Sequence, residues 1–221
     1  MHTIIDASTP ARRERLLISL CHSPKLLDTA LRLRREGAVD ERTERFLAGL
    51  DEDRIRAEHQ HRHSGLVNWM GLGCRRLRTV LGDEAHDVLV GAYADDEAFV
   101  TPRGRSLPEN YCLWAYDVLR ARSDDFAAQV AKLDGVVSGI KQQPGAPSPW
   151  PGHRRHASLP LEAFASSHAV LDEQGAPVDE SNVATLRQAP PTKVFLLVGF
   201  DDAGDLVVRQ TSASSVPTAN R

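Results

Sequence analysis

The sequence lacks both a long apolar run and a marked excess of charge of one sign. No stretch approaches the roughly 20 apolar residues that a transmembrane helix requires, and residues 1–6 lack the apolar segment of a signal peptide. The net charge is −3 and the pI is near 6.3, so no basic field favours nucleic acid. These absences predict a cytoplasmic protein that binds neither a membrane nor nucleic acid.

Cysteine is also scarce. The three cysteines, Cys21, Cys74 and Cys112, are far apart in the sequence, and each falls in a helical pattern. This distribution predicts buried free thiols in a reducing compartment, and it argues against a disulfide framework or a cysteine-based metal site.

The motifs of common enzyme classes are absent as well. The segment 71–73 (Gly-Leu-Gly) lacks the rest of a phosphate-binding fingerprint, and no Gly-x-Ser-x-Gly nucleophile elbow occurs. Acidic clusters at 95–97 and 201–202 fall in predicted turns, where Asp is common because it bonds to the local backbone. No nucleophile or second base accompanies these carboxylates, so we expect no catalytic residue in this chain.

Helical patterns fill most of the chain up to residue 142. Pro10, Ser23-Pro24, Asp40 and Asp51 predict helix starts, and Gly37, Gly49, Gly71-Leu-Gly73 and Gly82 predict helix ends or interruptions. A loop is expected at 99–108, with the next helix starting near Leu113. The helix from about Asp124 has the clearest core-facing stripe, formed by Phe126, Val130, Leu133, Val137 and Ile140.

The one clear β-pattern lies near the C-terminus. The apolar run 194–200 and the Val-rich run 206–211 flank a polar loop that ends at Gly204, which predicts a hairpin. A lone hairpin is marginally stable, so we expect a further strand at 159–164 and a helix at 181–188. Both faces of the first strand are apolar, so both are predicted to be covered.

The chain is therefore predicted to have an α+β fold. We expect a mainly helical N-terminal domain, then a small C-terminal domain with a three-stranded antiparallel sheet and one or two helices. The predicted bounds are residues 10–141 for the helical domain, 142–157 for a Pro/Gly/Ser-rich linker, 158–213 for the small domain and 214–221 for a disordered tail.

A histidine cluster in the fourth predicted helix is the first candidate for metal chemistry. His59 and His63 lie four residues apart and share a helix face, which is the spacing of two zinc ligands, whereas His61 points elsewhere. Gln60 stands where the general base of that pattern belongs, and no third ligand is placed. We therefore predict no metal site and favour a solvated or subunit-facing helix. A stand-alone metal-dependent enzyme that uses His59 and His63 is kept as an alternative.

A basic run suggests a different alternative. Arg75, Arg76 and Arg78 follow Trp69 among short helices separated by glycine, an arrangement that a helix-turn-helix transcriptional regulator could use on DNA. The acidic pI and the Asp and Glu residues at 83–97 argue against DNA binding. Most arginine runs of this kind are also solvated helix faces.

Several stretches together resemble a known family. Residues 46–51 (Phe-Leu-Ala-Gly-Leu-Asp) lead into an Arg-rich helix with His63 and Asn68, followed by residues 76–82 (Arg-Leu-Arg-Thr-Val-Leu-Gly), an acidic helix that ends in Tyr93-Ala94, and the hairpin. In the order of these elements and in size, the chain is similar to the partner proteins of multinuclear non-haem iron oxidative enzymes. That family includes the small subunit of the methanobactin oxazolone-forming complex and relatives in thiaglutamate-type peptide modification.

The resemblance implies a non-catalytic accessory subunit without a cofactor of its own. In that family the iron belongs to a TIM-barrel partner enzyme, and the subunit holds the leader of a ribosomal precursor peptide, often by β-strand addition, so that a Cys-containing core reaches the iron. Carried over, the peptide-binding residues are Val194, Phe195, Leu196, Leu197, Val198, Leu206, Val207, Val208 and Arg209. The residues that dock the partner enzyme are His59, His63, Asn68, Arg75 and Arg76. Which strand has the free edge stays open, and an acidic leader would suit the arginines Arg75, Arg76, Arg154, Arg155 and Arg209.

Overall fold

A computed structural model describes residues 5–144, 146–150, 154–155, 162–201 and 203–211. Within these ranges the helices are α1 (Pro10–His22), α2 (Pro24–Arg35), α3 (Glu41–Ala48), α4 (Glu52–Gly73), α5 (Arg75–Leu81), α6 (Asp83–Ala94), α7 (Glu97–Val100), α8 (Leu107–Ala121), α9 (Asp125–Gln142) and α10 (Val183–Gln188). The strands are β1 (Arg154–Arg155), β2 (Glu162–Ser166), β3 (Val194–Phe200) and β4 (Leu206–Thr211). The predicted α+β layout is confirmed, with helices first and an antiparallel sheet last; β1 adds a two-residue strand to the three longer ones.

The first compact unit contains residues 5–69 and 90–101. Its helices start as predicted, because Thr9 and Ser23 accept hydrogen bonds from the first turns of α1 and α2, and Asp40 does the same for α3. Asp95, from one of the acidic clusters, binds Ser23 Oγ at 2.6 Å and Lys25 Nζ at 3.0 Å. The buried core is formed by Ala7, Leu16, Leu20, Cys21, Leu27, Ala30, Leu47 and Ile55.

The second compact unit contains residues 70–89 and the described residues from 102 onwards, and α9 lies at its centre. This helix packs on α8, α5 and β3, and every residue from Phe126 to Ile140 is buried. The sequence predicted a single core-facing stripe. The difference arises because polar residues of α9 have tertiary partners: Asp134 binds Arg76, and Ser138 Oγ donates to Gly73 O at 2.8 Å.

The predicted boundary at residues 142–157 falls inside this second unit. Trp150, from the predicted linker, is 3% exposed. A Cβ at Gly135 would collide with the Trp150 ring, so the close packing of Trp150 on α9 requires glycine at this position. Residues 158–161 and the predicted tail at 214–221 lie outside the described residues.

The predicted break at 71–73 is helical in the structure, and the predicted loop at 99–108 is helical at both ends but a loop at 101–106. Helix α4 continues through Gly71 to Gly73, and a Cβ at Gly73 would lie 2.7 Å from Pro108 Cβ, so this glycine serves close packing. Helix α8 starts at Leu107 because Ser106 Oγ accepts a hydrogen bond from Glu109 N, and proline is well tolerated in a first turn. None of the helices in the described ranges combines the length and the apolarity needed to cross a bilayer.

The sheet has the order β1-β2-β3-β4, with antiparallel neighbours throughout. In the predicted hairpin, Asp201 N donates to Asp205 O and Gly204 N donates to Asp201 O, each at 2.9 Å. Gly204 has φ 85°, a value that glycine adopts without strain.

A buried ionic cluster joins the sheet to the helices of the second unit. Arg105 binds Glu109 of α8 at 2.7 Å and also binds Glu162 of β2, while Trp150 Nε1 donates to Glu109 Oε1 at 3.1 Å. Burial alone would lower the pKa of Arg105, but its hydrogen bonds to both carboxylates raise that pKa. The guanidinium therefore stays charged in the interior, where both carboxylates are needed to neutralise it.

We expect the substitution Gly139→Ala to destabilise the protein by ~1–3 kcal/mol through overpacking. A Cβ at Gly139 would lie 2.5 Å from Arg105 Nη2 and closer still to Glu109 Oε1. Gly65→Ala in α4 is the matched control, because a Cβ there meets nothing within 4 Å; it should stabilise by up to about 1 kcal/mol. Urea unfolding measures both, and equal effects of the two substitutions would show that the cluster does not require a glycine.

Candidate peptide-binding site

The central position of β3 restricts how a peptide could bind to the sheet. Residues 195–198 pair with β2 on one side and with β4 on the other, and Val194 pairs with Ser166 of β2. This corrects the predicted use of β3 for strand addition, because its backbone groups at 195–198 are already bonded. The residues concerned are Val194, Phe195, Leu196, Leu197 and Val198.

Besides the two-residue β1, strand β4 is the edge strand of the described sheet. It pairs with β3 on one side, and no other described strand lies on its far side. The bond from Asp201 N to Asp205 O makes that pair a hydrogen-bonded one. Because such pairs alternate along an antiparallel ladder, Val207, Arg209 and Thr211 direct their backbone groups towards β3. Leu206, Val208 and Gln210 therefore direct theirs outwards.

The two faces of the sheet differ in burial. Val194, Leu196 and Val198 are buried, whereas Phe195 and Leu197 on the opposite face are partly exposed. The predicted covering of both faces is thus complete at these positions of the first face and partial on the second, where Gly199 is buried. By register, the partly exposed face also carries Val207, Arg209 and Thr211.

A cavity of about 420 Å³ lies at the end of the sheet where β2 stops and β3 starts. This volume is in the range of small-molecule or side-chain sites. Its lining includes Tyr116, Arg120, Asp125, Gln129, Ser166 and Lys193. The Arg120 guanidinium lies 5.7 Å from the Tyr116 ring centroid, and its Nε is 3.9 Å from Asp125 Oδ1.

Gln129, which lines this cavity, has a buried side-chain amide oxygen. Gln129 is 5% exposed, and its Oε1 is buried without a hydrogen-bond partner among the described residues. Arg120 and Lys193 supply positive charge at the same opening. The two cations favour a ligand with an anionic group, such as an acidic side chain.

Lys132 lies one helical turn beyond Gln129 on α9 and is 8% exposed. Its Nζ is 3.4 Å from Ala165 O and 5.0 Å from the Phe164 ring centroid. Burial lowers the pKa of Lys132 to about 8. Sequence periodicity missed this lysine because it falls between the apolar positions of α9.

The predicted docking residues lie in both compact units. His59, His63 and the exposed Asn68 belong to the first unit, where the two imidazole rings lie 5.6 Å apart. The sequence did not place His22 beside them. Burial lowers the pKa of His22, and positive charge on Arg62, His59 and His63 acts in the same direction. Across the described residues, no three or more His, Cys, Asp or Glu side chains form a group that could hold a metal ion.

The arginine run in the second unit is largely occupied by internal partners. Arg76 Nη1 lies 2.9 Å from Oδ1 of the buried Asp134, and Arg78 Nε lies 2.7 Å from Asp83 Oδ1. Arg75 is exposed. Two of the three cations on which the DNA-binding alternative depends are thus ion-paired within the chain.

Comparisons with known protein families, with curated proteins and with solved structures found no match. The family resemblance described above therefore stays a prediction based on short motifs and on the order of elements.

We expect Lys132 to contribute a rise in the free energy of unfolding as the pH increases from about 8 to 10.5, because the folded state binds fewer protons at Lys132 than the unfolded chain does over this window. Lys132→Met should remove a contribution on the order of 3 kcal/mol from this rise. The exposed Lys141, on the same helix, gives the control Lys141→Met, which should leave the rise unchanged. Urea titrations at several pH values test this, and identical slopes for both variants would contradict it.

Proposed function

We propose that this chain is a non-catalytic subunit that binds the leader of a ribosomal precursor peptide. It presents the Cys-containing core of that peptide to a TIM-barrel, iron-dependent oxidative enzyme. Two observations support the proposal: the family resemblance of the sequence and, above all, the outer edge of β4, which pairs with no second strand among the described residues.

The outer edge of β4 offers the N–H and C=O groups of Leu206, Val208 and Gln210 to an added strand. Each hydrogen bond contributes only about 0.5–1.5 kcal/mol net, so side-chain contacts must add to the affinity. The partly exposed Phe195 and Leu197 lie on the same sheet and provide apolar area for them.

The charges near the sheet indicate the kind of peptide. Arg209 is exposed on β4, and the Lys193 ammonium lies 5.5 Å from the Phe195 ring centroid. With Arg120 at the cavity, these cations favour an acidic leader. An acidic residue beyond the docked strand can enter the cavity, where Arg120 and Lys193 supply positive charge.

A subunit of this kind assists catalysis by positioning. Holding the leader fixes the distance of the reacting Cys side chain from the iron and raises its effective concentration there. The chain itself then needs no reacting group.

Removing one outward N–H should weaken strand addition. Val208→Pro deletes such a group and leaves the ladder to β3 intact, because proline is tolerated at a strand edge. We expect at least a tenfold loss of affinity, about 1.4 kcal/mol, for the Cys-bearing peptide encoded beside this chain, measured by fluorescence anisotropy. Val208→Ala loses the same side chain but keeps the N–H, so it should bind within about threefold of the unsubstituted protein. Wild-type affinity in both folded variants would exclude β4 as the docking edge.

The partner is tested separately. We expect co-purification with an iron enzyme encoded in the same gene neighbourhood, and the absence of both that gene and a short Cys-bearing peptide gene would overturn the proposal. Binding to duplex DNA with a steep salt dependence would favour the regulator instead. Stoichiometric metal that His59→Ala removes would favour the stand-alone enzyme.

A further inference from the structure

Two cysteines that are distant in the sequence are in contact in the core of the second unit. Cys74 follows α4 and Cys112 lies in α8, and their Sγ atoms are 3.1 Å apart. Both residues are 0% exposed. A disulfide has an S–S distance of about 2.0 Å, so the two sulfur atoms need to approach by only about 1 Å to bond.

The Cys74 thiol is not needed for the local structure. Cys74 is the N-cap residue of α5, yet its side chain makes no capping hydrogen bond. Asp134 of α9 supplies the cap instead, because its Oδ2 accepts from Leu77 N at 2.9 Å. Apart from Cys112, the Cys74 Sγ contacts Pro108 O at 3.7 Å, a weak interaction. Its S–H bond can therefore be exchanged for an S–S bond without uncapping the helix.

We propose that Cys74 and Cys112 are a redox pair that hydrogen peroxide converts into an intramolecular disulfide. One thiolate attacks the peroxide O–O bond and becomes a sulfenic acid, and the oxygen that leaves takes a proton to form water. The second thiolate then attacks the sulfenic sulfur, the S–S bond forms, and a second water leaves. Two thiols lose two electrons and two protons, and the peroxide is reduced to two waters.

Burial determines the rate of this reaction. It raises the pKa of both the Cys74 and the Cys112 thiol, so little thiolate is present at neutral pH. The oxidation is consequently slow at pH 7 and accelerates as the pH rises. The disulfide closes the chain from 74 to 112, which restricts the unfolded state more than a short loop does.

The test uses the full chain, treated with hydrogen peroxide at pH 8.5 and then digested. We expect peptides that contain Cys74 and Cys112 to be linked, with the mass of two hydrogens lost, and dithiothreitol to separate them. The melting temperature should rise by about 5–15 °C on oxidation. Cys21→Ala, which removes the third cysteine, should keep both effects, and Cys112→Ala should lose both.

Two results would overturn the proposal. One is sulfinic acid on each thiol, or a link between two copies of the chain, in place of the internal disulfide. The other is full alkylation of Cys74 and Cys112 in denaturant after peroxide treatment. Peptide binding by β4 is measured independently, so failure of this proposal leaves the proposed function intact.

Discussion

The second compact unit depends on the charge of Arg105 being neutralised in its interior. A buried guanidinium is tolerated only when carboxylates surround it with good geometry, and here Glu109 comes from α8 and Glu162 from β2. This ion-pair cluster holds the sheet against the helices. Removing either carboxylate would leave part of the buried positive charge of Arg105 unneutralised. Gly139 belongs to the same constraint, since only the absence of a side chain leaves room for the ion pair against α9.

Features that act over a few residues could be predicted from the sequence. The caps at Thr9, Ser23 and Asp40 and the turn at Gly204 are of this kind, because the cap or turn residue bonds to the adjacent backbone. Features that depend on residues distant in the sequence could not be predicted. Gly73 looked like a helix break because its neighbour Pro108 is remote in sequence, and α9 looked one-sided because nothing local shows that its polar residues have partners.

The candidate site also has features that the local sequence predicts and features that depend on distant residues. The hairpin was predictable, but the central place of β3 follows from pairing with β2, which is distant along the chain. One local indication of the edge was available: the exposed Arg209 and Gln210 on β4, since charged and polar side chains are common on edge strands. The cavity is lined by α8, α9 and β2 and by Lys193, which precedes β3. Cys74 and Cys112 are 38 positions apart, so no local pattern reveals the cavity or the cysteine pair.

The capping of α5 by Asp134 has a consequence for the order of folding. A helix of seven residues is too short to persist alone in water, and α5 has no side-chain cap of its own. The carboxylate that completes its first turn belongs to α9, and burial raises the pKa of that carboxyl group even though Arg76 and the Leu77 N–H oppose the change. The stability of helix α5 therefore depends on α9 being formed and docked, so α5 does not form ahead of its neighbour.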